Sequence, residues 1–196
     1  MLLNYLFVIL KLGNISTIQT GFFATPDAIG DYVCLQTRDF DENGNLTSLI
    51  FPNIRGEKVS DKHRLKSGDI LFAAKGVKNF ATVIGENYPP CVASTSFFVL
   101  RLKVNNIIPK YLAWYLNLSS TQGFLKSNAI GTSIASISKV VLEDVNIIVP
   151  TIETQQNIVQ IFDLKFKERL LNKKIETLKE QLIEQIILKK INKEDE

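Results

Sequence analysis

The pattern of hydrophobic and polar positions changes at Pro150. Before it, short apolar runs rich in Val, Ile and Phe are separated by turn-forming residues, a pattern typical of strands. The predicted strands are Tyr32–Gln36, Asp69–Ala74, Ala81–Ile84, Thr95–Leu102 and Val145–Val149. From Thr151 to Lys193 there is no Gly and no Pro. The pattern therefore predicts one domain over residues 1–150 and a single helix over residues 151–196.

Residues 1–150 are predicted to form an α+β domain with a mixed or antiparallel sheet. Turn chemistry such as Ser67-Gly68-Asp69 separates the apolar runs. A helix is predicted to begin near Pro109, a residue favoured in the first helical turn, and to continue or restart through Phe124 and Leu125. These elements do not alternate regularly as strand, helix, strand, which disfavours a doubly wound parallel sheet.

The segment after Pro150 predicts a long helix of the coiled-coil type. Its apolar residues follow a seven-residue spacing in steps of four and three, with charged residues between them. These residues, called here the apolar seam, are Leu164, Leu171, Ile175, Leu178, Leu182 and Ile186. About 40 residues at 1.5 Å each would form a rod of roughly 60 Å, which needs a partner helix. The alternative is a terminal helix packed against its own domain.

Composition limits the classes of protein that fit. Two cysteines, Cys34 and Cys91, and one histidine, His63, argue against a disulfide framework and against a Cys/His zinc site. The apolar start, MLLNYLFVIL, has no basic segment before it and is too short to span a bilayer. It is interpreted as a buried first strand or an approach segment, and the protein is predicted to be cytoplasmic.

Basic residues are concentrated between Arg55 and Lys78. This segment holds seven basic and three acidic residues, a net charge of +4, which exceeds the +3 of the whole chain. Lysine and arginine in loops favour contact with nucleic-acid phosphates, and the loop 75–79 combines two lysines with Gly76, which permits close backbone approach. The candidate DNA-binding residues are Lys75, Gly76, Lys78, Asn79, Arg55, Lys58, Lys62, Arg64 and Arg38. The alternative is a set of solvated surface loops.

Base edges require planar or forked donors. Side chains of this type in the same region are Arg55, Arg64, Asn53, Asn79 and Gln36. The helical segment, in contrast, has nearly balanced charges, which is typical of a solvated helix that pairs with a partner.

No catalytic machinery is evident in the sequence. There is no Gly-x-Gly pair for a nucleotide or methyl-donor loop. Asn87-Tyr88-Pro89-Pro90 has the letters of an adenine methylase motif in the wrong order and predicts a tight turn, and Asp163-Leu164-Lys165 lies inside the predicted helix. His63 has no evident catalytic partner and is interpreted as a surface or phosphate-facing residue. No catalytic residue, metal or cofactor is therefore predicted.

Five short motifs occur in a fixed order along the chain. They are Lys11–Ile15 with Ile18–Gly21, Leu65–Phe72 (LKSGDILF), Tyr111–Leu116, Gly131-Thr132-Ser133 leading into Ile137-Ser138, and Ile148-Val149-Pro150 with Glu153, Gln155-Gln156 and Ile158. Each motif is weak alone, but in this order they cover nearly the whole chain. Together they resemble the specificity (S) subunit of type I restriction–modification systems.

The resemblance implies a fold and a function. It implies a target recognition domain that reads half of a bipartite DNA site, followed by a conserved helix, in a subunit without catalytic activity. It also implies a modification subunit (an N6-adenine methyltransferase using S-adenosylmethionine) and a restriction subunit as partners, and antiparallel pairing of helices.

This chain departs from the family in having one domain and one helix, where the usual member has two of each. It is therefore interpreted as a half-length subunit that forms a homodimer through its helix, or as a fragment or cassette of a longer one. The alternative function is a coiled-coil interaction module or a truncated competitor of a full-length specificity subunit, without specific DNA binding of its own.

Overall fold

The computed structural model describes residues 7–194 except 24, 26, 28, 42, 48, 77, 78 and 130–135. By internal contacts the chain divides into two units, Met1–Gln156 and Asn157–Glu196. The fold is α+β with a long C-terminal helix, as predicted. None of the described helices combines the length and apolar character that a membrane span requires.

The strands of the first unit form three small sheets in the part that the structure describes. The strands are β1 Val8–Lys11, β2 Ser16–Thr20, β3 Val33–Leu35, β4 Ile70–Ala73, β5 Ala81–Val83, β6 Cys91–Ala93, β7 Phe97–Leu102 and β8 Asn146–Val149. The central sheet has the order β2-β7-β4-β5, and every neighbouring pair in it is antiparallel. Strands β3 and β6 pair in parallel, and β1 and β8 pair in antiparallel fashion.

Helices and short turns connect these strands. The helices are α1 Leu12–Ile15, α2 Pro109–Leu116, α3 Ser119–Ser127, α4 Lys139–Glu143 and α5 Ile152–Glu194. Three 3₁₀ turns, Thr37–Asp39, Gly56–Lys58 and Asp61–His63, lie in the long connection between β3 and β4. The predicted restart after the first helix is confirmed, because α2 ends at Leu116 and a new helix, α3, begins at Ser119.

The core of the first unit lies around β4 and β7. All four residues of β4, ILFA, are buried, because this central strand is covered on both faces. Phe40, Phe80 and Phe97 form an aromatic cluster with ring centroids 5.7–6.0 Å apart. All five predicted strands are confirmed, and no end differs from the prediction by more than two residues.

The first strand differs from its predicted burial. β1 is a strand, but Val8 and Ile9 are 53% and 56% exposed, so the expectation of a buried strand is wrong for the described residues. β1 pairs only with β8 among the described strands, and Ile147 and Val149 of β8 fill the core from that pair. Residues 1–6 of the apolar start lie outside the described residues.

Four strands end at the same edge of the first unit. β2 and β4 run in the same direction because both are antiparallel to β7. Backbone hydrogen bonds join the residues that follow β2, β4, β6 and β3. These bonds are Gly21 N–Phe97 O, Ala74 N–Ser96 O, Phe22 N–Ala93 O and Ser94 N–Leu35 O. The loops that follow these four strands therefore meet at one edge, called here the carboxyl edge.

The helix α5 begins at a fixed point in the first unit. Thr151 accepts a hydrogen bond through Oγ1 from the Thr154 backbone N–H, at 3.2 Å, and so caps the start of the helix. Gln155, one turn in, has no solvent-exposed surface. Its Nε2 donates to Asn106 O and Pro150 O, and its Oε1 accepts from Ile108 N, each at 2.9 Å.

Replacing Gln155 with leucine should destabilise the first unit. The Ile108 N–H and the two carbonyl groups would each lose a partly buried hydrogen bond, which should lower the free energy of unfolding by about 2–4 kcal/mol. The measurement is urea unfolding followed by circular dichroism at a fixed protein concentration. The neighbouring Gln156 is exposed, and Gln156→Leu is the matched control, with an expected change within about 0.5 kcal/mol. Equal effects of the two substitutions would contradict this role of Gln155.

Candidate nucleic-acid interface

The loop after β4 lies at the carboxyl edge. The Lys75 backbone N–H donates to Ser96 O at 3.3 Å, and Lys75 forms an antiparallel bridge with Ser136. Gly76 has φ +135°, which favours glycine, and among the described residues other than its chain neighbours no atom lies within 4 Å of the position that a Cβ would take. The backbone is therefore open to a ligand here, and contact of Gly76 with DNA stays a prediction. Lys78 lies outside the described residues.

Asn79 closes this loop from inside. Its Nδ2 donates to Ala73 O at 2.8 Å, so the side chain bridges the two ends of the loop after β4. Asn79 was predicted to contact DNA, and this bond uses one of the two N–H donors of its side-chain amide to hold the loop.

Arg38 lies at the same edge as Lys75. It is exposed on the 3₁₀ turn that follows β3. Asp39 fixes this turn, since its Oδ2 accepts from the Gln36 backbone N–H at 2.7 Å and its backbone carbonyl accepts from Thr47 N. Within the described ranges, no carboxylate lies at ion-pair distance from Arg38 or Lys75. Both cations can therefore meet a phosphate without first breaking an internal ion pair.

The other predicted basic residues precede β4 and are more engaged. Arg55 and Lys58 share Asp27, at 2.8 Å and 3.5 Å. Arg64 pairs with Asp61 at 3.1 Å, and its guanidinium lies 5.5 Å from the centre of the Tyr32 ring. The predicted basic cluster is thus divided by β4: Lys75 follows the strand, while Arg64 precedes it.

An ion pair between a buried carboxylate and a partly buried guanidinium holds the segment before β4. Asp69 is 5% exposed and pairs with Arg101 of β7 at 3.0 Å. Arg101 also donates to Lys62 O at 2.9 Å and to Arg64 O at 2.8 Å, so it fixes the backbone that carries these two predicted DNA contacts. The sequence analysis missed Arg101. Its signal was weak, because a single charge in a strand is also common on a solvated face.

His63 packs against Phe22, with ring centroids 5.2 Å apart, and its Nδ1 is buried without a hydrogen-bond partner. Burial lowers the pKa of His63, and the positive charges of Lys62 and Arg101 lower it further. His63 is therefore mainly neutral near pH 7 and adds no full charge to the basic group.

The two cysteines are free and buried in the neighbouring strands β3 and β6. Burial, aided by the negative charge of Asp69, raises the pKa of Cys91 to about 12, so its thiol stays protonated and unreactive. The described residues contain no group of three or more His, Cys, Asp or Glu that could hold a metal ion.

The apolar seam of α5 is open in this chain. All six seam residues are about half exposed, from 49% for Ile175 to 62% for Leu171. Further apolar side chains of similar exposure lie off the seam. They are Leu170, Ile183, Ile187, Leu188 and Ile191. The apolar surface is therefore narrow up to Leu182 and broader beyond it.

A family model matches most of the chain. Residues 7–186 match the model of the type I restriction modification DNA specificity domain. None of the curated proteins compared with the chain matches it significantly.

Solved structures share the fold. A chain from the type I R–M system, solved in work on its complex assembly and conformational transition, has a TM-score of 0.60 and 18% identity over 86% of this chain. The type I R–M S subunit from M. genitalium has a TM-score of 0.56 and 19% identity over 88% of this chain. The HsdS subunit from Thermoanaerobacter tengcongensis has a TM-score of 0.58 and 19% identity over 86% of it. This chain spans 40%, 42% and 39% of those three chains.

Proposed function

The chain belongs to the family of type I restriction–modification DNA specificity domains, and from this we propose that it is a half-length DNA-recognition subunit of such a system. Residues 1–150 read half of a bipartite site, and residues 151–196 form the helix that spaces and joins two such domains. The observation that carries the proposal is the carboxyl edge, which receives both the turn with the exposed cation of Arg38 and the loop with the open backbone of Gly76.

The loop after β4 provides the phosphate contacts. Lys75 and Lys78 supply the positive charges, and the backbone at Gly76 approaches the duplex closely because no side chain stands in the way. Arg55, Lys58, Lys62 and Arg64 form a second group of contacts. Two of these, Arg55 and Lys58, must exchange the carboxylate of Asp27 for a phosphate, so we assign the larger share of binding to Lys75 and Lys78.

The helix joins two copies of the chain. Leucine and isoleucine at the seam are half exposed, and pairing with a second helix would bury them. Glu168 occupies the seam position between Leu164 and Leu171. In a parallel pair Glu168 would face the same carboxylate of the second copy, whereas in an antiparallel pair centred between Leu171 and Ile175 it faces a leucine. The placement of Glu168 therefore favours antiparallel pairing.

Catalysis belongs to partner subunits in this proposal. The dimer recruits a methyltransferase subunit and a restriction subunit, and it acts in the cytoplasm. The family is one of non-catalytic subunits.

Methylation mapping tests the function as a whole. The chain is co-expressed with the type I methyltransferase encoded beside it, and methylated adenines are located by sequencing. Two identical copies of residues 1–150, called here the head, would be related by a twofold axis in the dimer. They should direct methylation to two inverted half-sites with a fixed spacer. Methylation no different from that of the methyltransferase alone would reject the DNA-reading role and favour the interaction-module alternative. Methylation at a site without inverted symmetry would reject the homodimer.

Lys75→Ala combined with Lys78→Ala should weaken DNA binding by a similar factor for all sequences. The plot of log affinity against log salt should become flatter by roughly 0.9 for each phosphate contact removed. Fluorescence anisotropy at several salt concentrations measures both effects. Lys11→Ala with Lys103→Ala removes the same charge beside α1 and the start of β2, at the opposite end of the sheet from the carboxyl edge, and should change the slope much less. Equal slopes for the two double variants would show that the loop after β4 does not contact DNA phosphates.

Leu171→Lys combined with Leu178→Lys should convert the dimer to a monomer, because each change places a charge in the buried seam. Light scattering measures the mass. The matched control is Leu170→Lys with Ile183→Lys, which adds the same charges at residues that are 53% and 58% exposed but lie off the seam. An unchanged mass in the seam variant, or the same dissociation in the control, would show that the seam is not the dimer interface.

A further inference from the structure

Large apolar side chains are exposed in the connection between β2 and the Gly56 turn. Phe23, Ile29, Leu49 and Phe51 are 81%, 77%, 87% and 70% exposed. Single exposed apolar residues are common on protein surfaces, but a group on one surface marks a place where a ligand or partner binds. Leu49 and Phe51 are the two that line a common cleft, of about 220 Å³.

The cleft combines this apolar wall with planar polar side chains. Gln36, Arg38 and Asn53 line it with Leu49 and Phe51. Asn53 accepts a hydrogen bond through Oδ1 from the Cys34 backbone N–H, at 3.2 Å, so it offers its Nδ2 donor group to a ligand. The cleft is smaller than the ~300–1,000 Å³ typical of small-molecule sites, and it suits the edge of a larger molecule.

The cleft lies at the carboxyl edge. The segment 51–53 runs beside β3, held by the bond from Asn53 N to Tyr32 O and by the bond to Cys34. Gln36 and Arg38 follow the last residue of β3, whose carbonyl accepts from Ser94 N, and the residues after β4 bond to Ser96. The cleft and the Lys75 loop therefore belong to one edge of the domain.

We propose that this cleft reads base edges in the major groove, and that Phe51 and Leu49 contact the 5-methyl group of a thymine. Gln36 and Arg38 have the amide and guanidinium donors that match adjacent adenine and guanine edges. The Lys75 loop positions the duplex through its phosphates, and the cleft discriminates sequence. This inference rests on the proposed DNA-reading function and assigns the specificity-determining residues within it.

Duplex DNA fits this surface better than a protein partner does. Arg38 has no carboxylate at ion-pair distance among the residues that the structure describes, so its guanidinium can meet a base edge or a phosphate at the mouth of the cleft. Asp39 also lines the cleft, and its carboxylate accepts a hydrogen bond from the Gln36 backbone N–H. The apolar wall is also small, because Leu49 and Phe51 are its strongly exposed members among the residues that the structure describes. A protein interface needs a broader apolar core, whereas a thymine methyl needs only a single contact of this size.

The experiment combines a protein substitution with the removal of one methyl group from DNA. Full-length chain, in complex with its methyltransferase, is titrated with duplexes of the mapped site in which each thymine in turn is replaced by uracil. For the unaltered chain, uracil at the contacted position should weaken binding about fourfold, the factor expected for one buried methyl group. Phe51→Ala should bind the thymine duplex more weakly and lose the response to uracil at that position. Phe124→Ala, an exposed phenylalanine on α3, is the matched control and should keep the response.

Each outcome separates this inference from the proposed function. Sequence-specific binding with no uracil-sensitive thymine, or a Phe51→Ala variant that keeps the full response, overturns the cleft assignment and leaves the DNA-reading function intact. If Phe51→Ala loses methyltransferase binding but discriminates between DNA sequences as before, the cleft is a protein-docking surface. That result also overturns the cleft assignment. Binding without any sequence preference in the unaltered chain rejects the proposed function itself.

Discussion

A single buried amide determines where the long helix begins. Gln155 has no exposed surface and satisfies one backbone donor and two backbone acceptors, which belong to the segment before α2 and to the residue after β8. Without these bonds three partly buried backbone groups would lose their partner, so the first turn of α5 and the β8 end of the domain stabilise each other. Pro150 limits the strand and Thr151 caps the helix, but Gln155 connects the two.

The direction of the strands determines which loops can act together. β2 and β4 run alike because both flank β7, and the bonds at Ser94 and Ser96 bring the ends of β6 and β3 to the same place. One edge thereby receives both a charged loop and an amide-lined cleft. The Asp69–Arg101 pair lies at the other end of β4. There Arg101 donates hydrogen bonds to the backbone carbonyls of Lys62 and Arg64 and so holds the segment that precedes the strand.

The sequence predicted those parts of the fold in which the local hydrophobic pattern agrees with the burial of the residues in the structure. The run ILFA of β4 is apolar and wholly buried, and the seven-residue spacing after Pro150 indicates the helix. β2, with the polar sequence STIQT, was missed because its strand character comes from pairing with β7. Gln155 and Gln156 are identical neighbours in the sequence, and only the tertiary structure shows which one is buried. The basic residues were found from composition. Their division by β4 and the exposure of Phe51 depend on topology, which no local pattern records.

The bonds of Gln155 have a consequence for how such proteins diversify. All three of its partners are main-chain atoms, so the junction does not depend on which side chains the head carries at 106, 108 and 150, provided that residue 108 is not proline. A head with a different surface, but the same backbone course at these positions, would join the helix equally well. An exchange of the whole first unit at this junction would therefore need no compensating change in the helix.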